Sequence, residues 1–251
     1  VASTDFILRP GERLDDLIRD DMKIIQRSDE FCFSLDSVLL AQFASLKKAD
    51  RVWDLGTGTG VLALLLTSRG ARDITAVELN PVLADIACRN VVGNGRAAQI
   101  KVREADYRRH RELFPANSAD LVICNPPYRA LGGGDRSQLT GVAAARHETT
   151  ATKQDVIAAA AYLLRYGGRF ALVQRADRTA EWCAALEAAK LAVKRLQFVH
   201  SRQGLPAKLV LLEARMNGRA DCTVLPPLFV HDDHGDYTPD ILRLYGKEVA
   251  D

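Results

Sequence analysis

Directly after the apolar run Leu121-Val122-Ile123-Cys124 stands Asn125-Pro126-Pro127-Tyr128. Two consecutive prolines fix backbone torsions and remove N–H donors, so the Asn125 side-chain oxygen and the Pro126 carbonyl can be held as a rigid pair of acceptors. Such a pair suits a planar amino group. An exocyclic or amide nitrogen is a poor nucleophile because its lone pair is delocalised, and two acceptors on its hydrogens favour the more tetrahedral geometry that attack requires. Tyr128 adds an aromatic face for stacking, worth about 1–3 kcal/mol per base in single-strand binders. In isolation the stretch also reads as an ordinary turn with a tyrosine in the core. Its place at a strand end, beside a glycine loop, favours chemistry.

That loop is Asp54-Leu55-Gly56-Thr57-Gly58-Thr59-Gly60, between an expected strand and an expected helix. Glycines let a ligand approach the backbone, and the helix start presents unpaired amides. The loop is not a dinucleotide fingerprint: counted from Gly56 the third glycine position is Val61, and counted from Gly58 it is Ala63. Asp54 sits badly with a pyrophosphate and better with a cationic ligand. Glu78, 22 residues after Gly56, closes the next strand, where a carboxylate can accept from both ribose hydroxyls of a nucleoside. Asp106 follows the third strand, placed to accept from an adenine amino group. Glu78 and Asp106 taken singly also read as solvated loop acids; three carboxylates at consecutive strand ends argue for a site. The adjoining Leu79 and Tyr107, with Thr57, complete the candidate ligand-binding set.

The elements that must hold these residues alternate short β-branched runs with helix-periodic ones, the pattern of a mostly parallel α/β sheet covered by helices on both faces. Strands are expected at Arg51–Leu55, Ile74–Glu78, Ile100–Glu104, Leu121–Cys124, Gly168–Gln174, Lys194–Val199 and Lys208–Arg215. Helices are expected at Val61–Arg69, from Pro81 with Asn80 as cap to about Gly93, from Thr152-x-x-Asp155 to about Leu164 with Gly167 and Gly168 as terminators, and over Arg178–Ala189. Residues 1–50 read as an N-terminal extension, with a hairpin around Met22–Phe33 and a helix over Asp36–Phe43, and residues 51–251 as one catalytic domain. Arg129–Thr150 forms a loop of about 22 residues, a length usually kept for function.

Composition is that of a globular protein: 251 residues, 47% hydrophobic and 26% charged, which excludes disordered, collagenous and disulfide-scaffold classes. No apolar run approaches the ~20 residues of a membrane span and no signal peptide opens the chain, so a cytosolic, soluble protein is expected. The five cysteines form no Cys-x-x-Cys pair, and neither a zinc site nor any other metal is expected. The net charge of +2 conceals local imbalance. Arg96–Arg111 holds 6 basic and 2 acidic residues, residues 151–225 hold 12 and 6, and residues 1–50 hold 7 and 10. Basic stretches of this kind permit an RNA partner.

From about Arg51 to Arg215 the chain resembles a Rossmann-like, class I S-adenosyl-L-methionine-dependent methyltransferase, and Asn-Pro-Pro-Tyr resembles the signature of members that methylate amino nitrogens. The resemblance implies a seven-stranded sheet with an antiparallel last strand. It implies that Gly56, Thr57, Gly58 and Gly60 embrace the methionine part of the cofactor, that Asp54 lies near its ammonium, and that Glu78 and Asp106 bind ribose and adenine.

The outer segments narrow the resemblance. Ile24-Ile25-Gln26-Arg27, Phe31 to Ala41, Ala145-Arg146-His147-Glu148, Pro206 to Arg215, Leu225-Pro226-Pro227-Leu228 and Tyr237-Thr238-Pro239 are similar, in order, to the bacterial tRNA1(Val) adenine-N6 methyltransferase family; Val1–Leu14 shows no family feature. The resemblance implies methylation of adenine 37, in the anticodon loop of a tRNA, with Asn125 and Pro126 holding the amino group and Tyr128 stacking on the ring. Pro127, Arg129, Arg146 and His147 are the further substrate-contact candidates, and Ser34 and Asp36 are placed to close over the cofactor or to cap the following helix. The alternatives are an N2-guanine RNA methyltransferase, a protein glutamine N5-methyltransferase, a DNA adenine methyltransferase, or an RNA-binding module with an inactive methyltransferase fold. The glutamine and DNA enzymes ordinarily carry a further domain for which this chain has little room.

Overall fold

The computed structural model describes residues 6–17, 20–27, 35–126 and 151–246. A hairpin of β1 (Glu12–Asp16) and β2 (Lys23–Arg27) precedes helix α1 (Leu35–Phe43). There follow β3 (Arg51–Leu55), α2 (Val61–Ser68), β4 (Asp73–Glu78), α3 (Pro81–Gly93), β5 (Ile100–Glu104), the single turn α4 (His110–Leu113), β6 (Ala119–Cys124), α5 (Lys153–Leu163), β7 (Leu164–Arg175), α6 (Thr179–Ala188), β8 (Leu191–His200) and β9 (Ala207–Met216). The chain closes on the two-residue strands β10 (Thr223–Val224) and β11 (Leu228–Phe229) and helix α7 (Pro239–Leu244).

The main sheet runs β8-β9-β7-β6-β3-β4-β5, with β9 antiparallel to both its neighbours and the other pairings parallel. The seven strands and the antiparallel last strand are thus as expected. The sheet is nonetheless larger than seven, because β10 and β11 both add to the outer edge of β8. Residues 223–229 read from sequence as a proline-containing tail; two residues of pairing each are too few to leave an alternating pattern.

Every residue of β6 is buried, as a strand covered on both faces must be. Leu121 and Ile123 join the core under α1 and α2, while Val122 and Cys124 join the core under α5 and α6. Among the described residues no helix is long and apolar enough to cross a membrane.

Asn80 caps α3 through its side chain and Thr152 closes a reciprocal capping box with Asp155, as expected. The helix begun at Thr152 ends at Leu163, as expected, because Leu164 is already extended (φ −72°, ψ 131°); contrary to expectation, Gly167 and Gly168 do not terminate it but lie inside β7. They serve an irregularity in the β6–β7 ladder, whose pairing jumps from Ala119↔Leu164 to Leu121↔Arg169. A Cβ on Gly168 would stand 2.9 Å from the Arg165 carbonyl oxygen, so only glycine passes there.

In the N-terminal hairpin Lys23–Arg27 pairs with Glu12–Asp16, a strand not expected from the sequence; residues 28–33 of the stretch expected around Met22–Phe33 lie outside the described residues. Acidic Glu12 disguised that strand. Its carboxylate is 1% exposed and meets the Arg89 guanidinium of α3 at 2.7 Å, so a charged residue sits at an inward position.

Candidate active site

The chain runs outward from β3 to β4 and β5, then returns to place β6 on the other side of β3. In such sheets the crevice at the carboxyl ends of the two central strands is where ligands bind. Asp54 and Leu55 end β3 there and Cys124 and Asn125 end or follow β6, with the Cys124 thiol donating to the Leu55 carbonyl at 3.1 Å.

The glycine loop is hung from β4. The amides of Gly56 and Thr57 both donate to the Val77 carbonyl, at 2.9 and 3.0 Å. Its three glycines have φ of +73°, +60° and +88°, so each turn uses the left-handed region. Gly60 is the tightest point: it starts α2, and a Cβ there would lie 3.4 Å from the Ala87 Cβ of α3.

Asp54 is buried (1% exposed), and its carboxylate accepts from the Thr57 hydroxyl at 2.5 Å. Burial pushes its pKa up to about 7; the neighbouring Glu78 charge adds to this, while hydrogen bonds from Thr57 and the Ala63 amide of α2 oppose it. Glu78 ties two loops together. One carboxylate oxygen accepts from Gly58 N at 2.9 Å and the other from Asn80 N at 2.8 Å. The carboxylate thus joins the glycine loop to the start of α3. Leu79, beside it, is 38% exposed and forms an apolar rim.

Asp106 caps the 3₁₀ turn Tyr107–Arg109 and is engaged by its own neighbour: Arg108 donates to it from the backbone at 2.9 Å and from the guanidinium at 2.7–2.9 Å. The Arg108 hydrogen bonds hold its pKa below the usual carboxylate range. Tyr107 is buried and its ring stands 4.0 Å from where a Gly56 Cβ would be.

Asn125 is half-buried and its Nδ2 donates to Ser37 Oγ of α1 at 3.3 Å. This orients the amide and leaves Oδ1 as the acceptor end. Pro126 is buried beside it. Asp54, Gly56–Gly60, Glu78, Leu79, Asp106, Tyr107, Asn125 and Pro126 therefore all lie at the carboxyl ends of the adjacent parallel strands β6, β3, β4 and β5. Asp36 lies in the first turn of α1, next to Ser37. Ser34, Pro127, Tyr128, Arg129, Arg146 and His147 lie outside the described residues.

Ser37, Arg108 and Asn90 carry roles that sequence reasoning missed. Ser37 is one place after Asp36 and three after Ser34, the two residues singled out as caps, and nothing local distinguishes it from them.

The residues present fit a nucleoside that carries a cation. A buried carboxyl poised near neutrality, a second carboxylate at the next strand end, a left-handed glycine loop and an exposed apolar residue are features that suit such a ligand.

Comparison with known proteins agrees with this reading. The methyltransferase small domain profile matches residues 34–199. The tRNA1(Val) (adenine(37)-N6)-methyltransferase of Photobacterium profundum is 30% identical over 84% of this chain and 88% of its own length. That of Tolumonas auensis is also 30% identical, over 83% and 86%. A crystal structure of an Agrobacterium tumefaciens protein, described as a predicted O-methyltransferase, superposes with a TM-score of 0.66 at 27% identity, covering 84% of this chain and 95% of that one. On the matched span, which covers most of its length, this chain belongs to the methyltransferase small domain family.

Proposed function

We propose that this chain methylates the N6 amino group of adenine in tRNA, using S-adenosyl-L-methionine, and that its target is adenine 37 in the anticodon loop of tRNA1(Val). The observation that carries the reading is the placement of Asn125 and Pro126 at the end of β6, across the switch point from Asp54 and Glu78. The names of the two relatives, each a tRNA1(Val) (adenine(37)-N6)-methyltransferase, support the choice of base and position.

When bound, the cofactor supplies an electrophilic methyl group. Asp54, once ionised, holds its ammonium, and Glu78 accepts from its ribose hydroxyls. Asn125 Oδ1 and the Pro126 carbonyl accept the two amino hydrogens of the base, drawing the nitrogen lone pair out of conjugation and towards the methyl. Tyr128 stacks on the ring, and Arg129, Arg146 and His147 contact RNA. Adenine 37 lies in a loop, so turning it into the crevice costs less than extraction from a duplex. The proton released from the amine leaves to solvent.

The Agrobacterium relative's description concerns oxygen, not nitrogen. A hydroxyl acceptor calls for a base to take its proton, whereas the end of β6 offers neutral acceptors, which suit an amine. The test is an unmodified tRNA1(Val) transcript incubated with cofactor, digested to nucleosides and analysed by mass spectrometry. N6-methyladenosine, lost when adenine 37 is replaced by guanine, is expected. N2-methylguanosine or a ribose O-methyl product refutes the assignment.

A further inference from the structure

Asn90 sits within α3 with no exposed surface. Its Oδ1 accepts from Ile25 N at 2.7 Å, and its Nδ2 donates to Ile25 O at 3.2 Å and to Thr59 O at 2.9 Å. One turn later Asn94 treats Lys23 in the same way, accepting from its N–H at 2.9 Å and donating to its carbonyl at 2.7 Å.

The match is geometric. Four helical residues rise about 6 Å and two strand residues about 6.6 Å, so two asparagines one turn apart meet alternate residues of β2. Together they replace a third strand on the open edge of the hairpin, whose other edge is filled by β1.

The two asparagines differ in what else they reach. Asn94 returns its amide to the Asn90 carbonyl of its own helix. Asn90 instead grips Thr59, in the middle of the glycine loop. One side of Thr59 is Gly58, whose amide holds Glu78, and the other is Gly60, which packs on Ala87 of the same helix. The loop is therefore fixed to α3 by one close contact and one buried hydrogen bond, and the residue making that bond also seats the hairpin.

We propose that Asn90 is a positioning residue for the cofactor loop, coupling the seating of the N-terminal hairpin on α3 to the shape of residues 56–60. The inference rests on the reading of that loop as the cofactor-binding element. A buried amide bonded to three backbone groups is costly to disturb, because loss of its side chain leaves donors and acceptors unsatisfied on both elements.

Asn94→Ala is the control, since it removes the equivalent pair of hairpin contacts, to Lys23 instead of Ile25, without touching the loop. In the full chain, Asn94→Ala is expected to lower the melting temperature and leave the affinity for S-adenosylhomocysteine, read by calorimetry, within about twofold of wild type. Asn90→Ala is expected to weaken that affinity by about tenfold or more, raising KM for the cofactor while kcat at saturation stays within about threefold. Amide hydrogen exchange of the cofactor-free protein should quicken at residues 57–62 in Asn90→Ala and not in Asn94→Ala.

Unchanged cofactor affinity in Asn90→Ala overturns the proposal, as does an equal loss in Asn94→Ala, which would place the effect in the hairpin alone. If Asn90→Ala does not fold, Asn90→Asp, which keeps the acceptor for Ile25 N and removes the amide donor to Thr59, is judged by the same affinity criterion. A wild-type chain that binds cofactor yet methylates no tRNA refutes the proposed substrate and leaves this inference standing.

Discussion

The most informative perturbation is proton concentration acting on Asp54. Its carboxyl is pushed up to about 7 by burial, against an ordinary value of 3.8. A cationic ligand beside it binds the ionised form, so below pH 7 binding must first release a proton. The apparent dissociation constant then scales as one plus the ratio of protonated to ionised carboxyl, which is about 10 at pH 6 and about 0.3 at pH 7.5. Affinity for S-adenosylhomocysteine should accordingly rise about eightfold between those values, a range in which an α-amino group of the ligand stays largely protonated.

The linkage has a definite sign for stability as well. The folded-state value lies above the unfolded one, so the native protein keeps a proton that the unfolded chain gives up. Stability from this group is complete below about pH 4, is lost as pH rises towards 7, and is level beyond; the full difference is about 4 kcal/mol. Asp54→Asn should therefore melt higher than wild type at pH 8 while binding cofactor more weakly and without pH dependence. Calorimetry in two buffers of different ionisation enthalpy reads the released proton directly. Affinity that is flat from pH 6 to 7.5 with no proton release refutes the argument, and so does an Asp54→Asn protein that binds as tightly as wild type.

Asn125→Ala should abolish methyl transfer while keeping cofactor affinity, by calorimetry, because its contact is with Ser37 rather than with the glycine loop. Ser37→Ala should lower kcat several-fold with cofactor affinity unchanged, since it frees the amide to rotate without removing its oxygen. Gly60→Ala, at φ +88° and against Ala87, should cost about 1–2 kcal/mol in urea unfolding and weaken cofactor binding. Glu12→Gln should destabilise by about 2–3 kcal/mol by leaving Arg89, 13% exposed, with Asp85 as its remaining carboxylate; thermal melts measure it.

What was legible in the sequence follows from how a parallel sheet is built. The parallel strands all end on the same edge, so a residue that closes an apolar run has its position set by local pattern alone, and Asp54, Glu78 and Asn125 are assigned to one edge of the sheet by the sequence itself. The glycine loop was legible for the same reason: it joins a strand end to a helix start, and few other sequences make that turn. Asp106 follows β5 as its sequence position implies, but its pairing with Arg108 was not legible, because a charge only two residues away reads equally well as solvated. The hairpin partner was missed because Glu12 reads as exposed unless Arg89, 77 residues on, is known to cover it. Ser37 and Asn90 fail in the same way. Each acts on a backbone or side chain that only tertiary packing brings near, so its spacing in the chain carries no sign of its role. Residues at strand ends are thus defined by local periodicity, whereas those that orient them are defined by contacts between elements. For this chain the division predicts where mutations will separate binding from catalysis: strand-end changes alter what is bound or transferred, and changes at Ser37 and Asn90 alter how well the same groups are aimed.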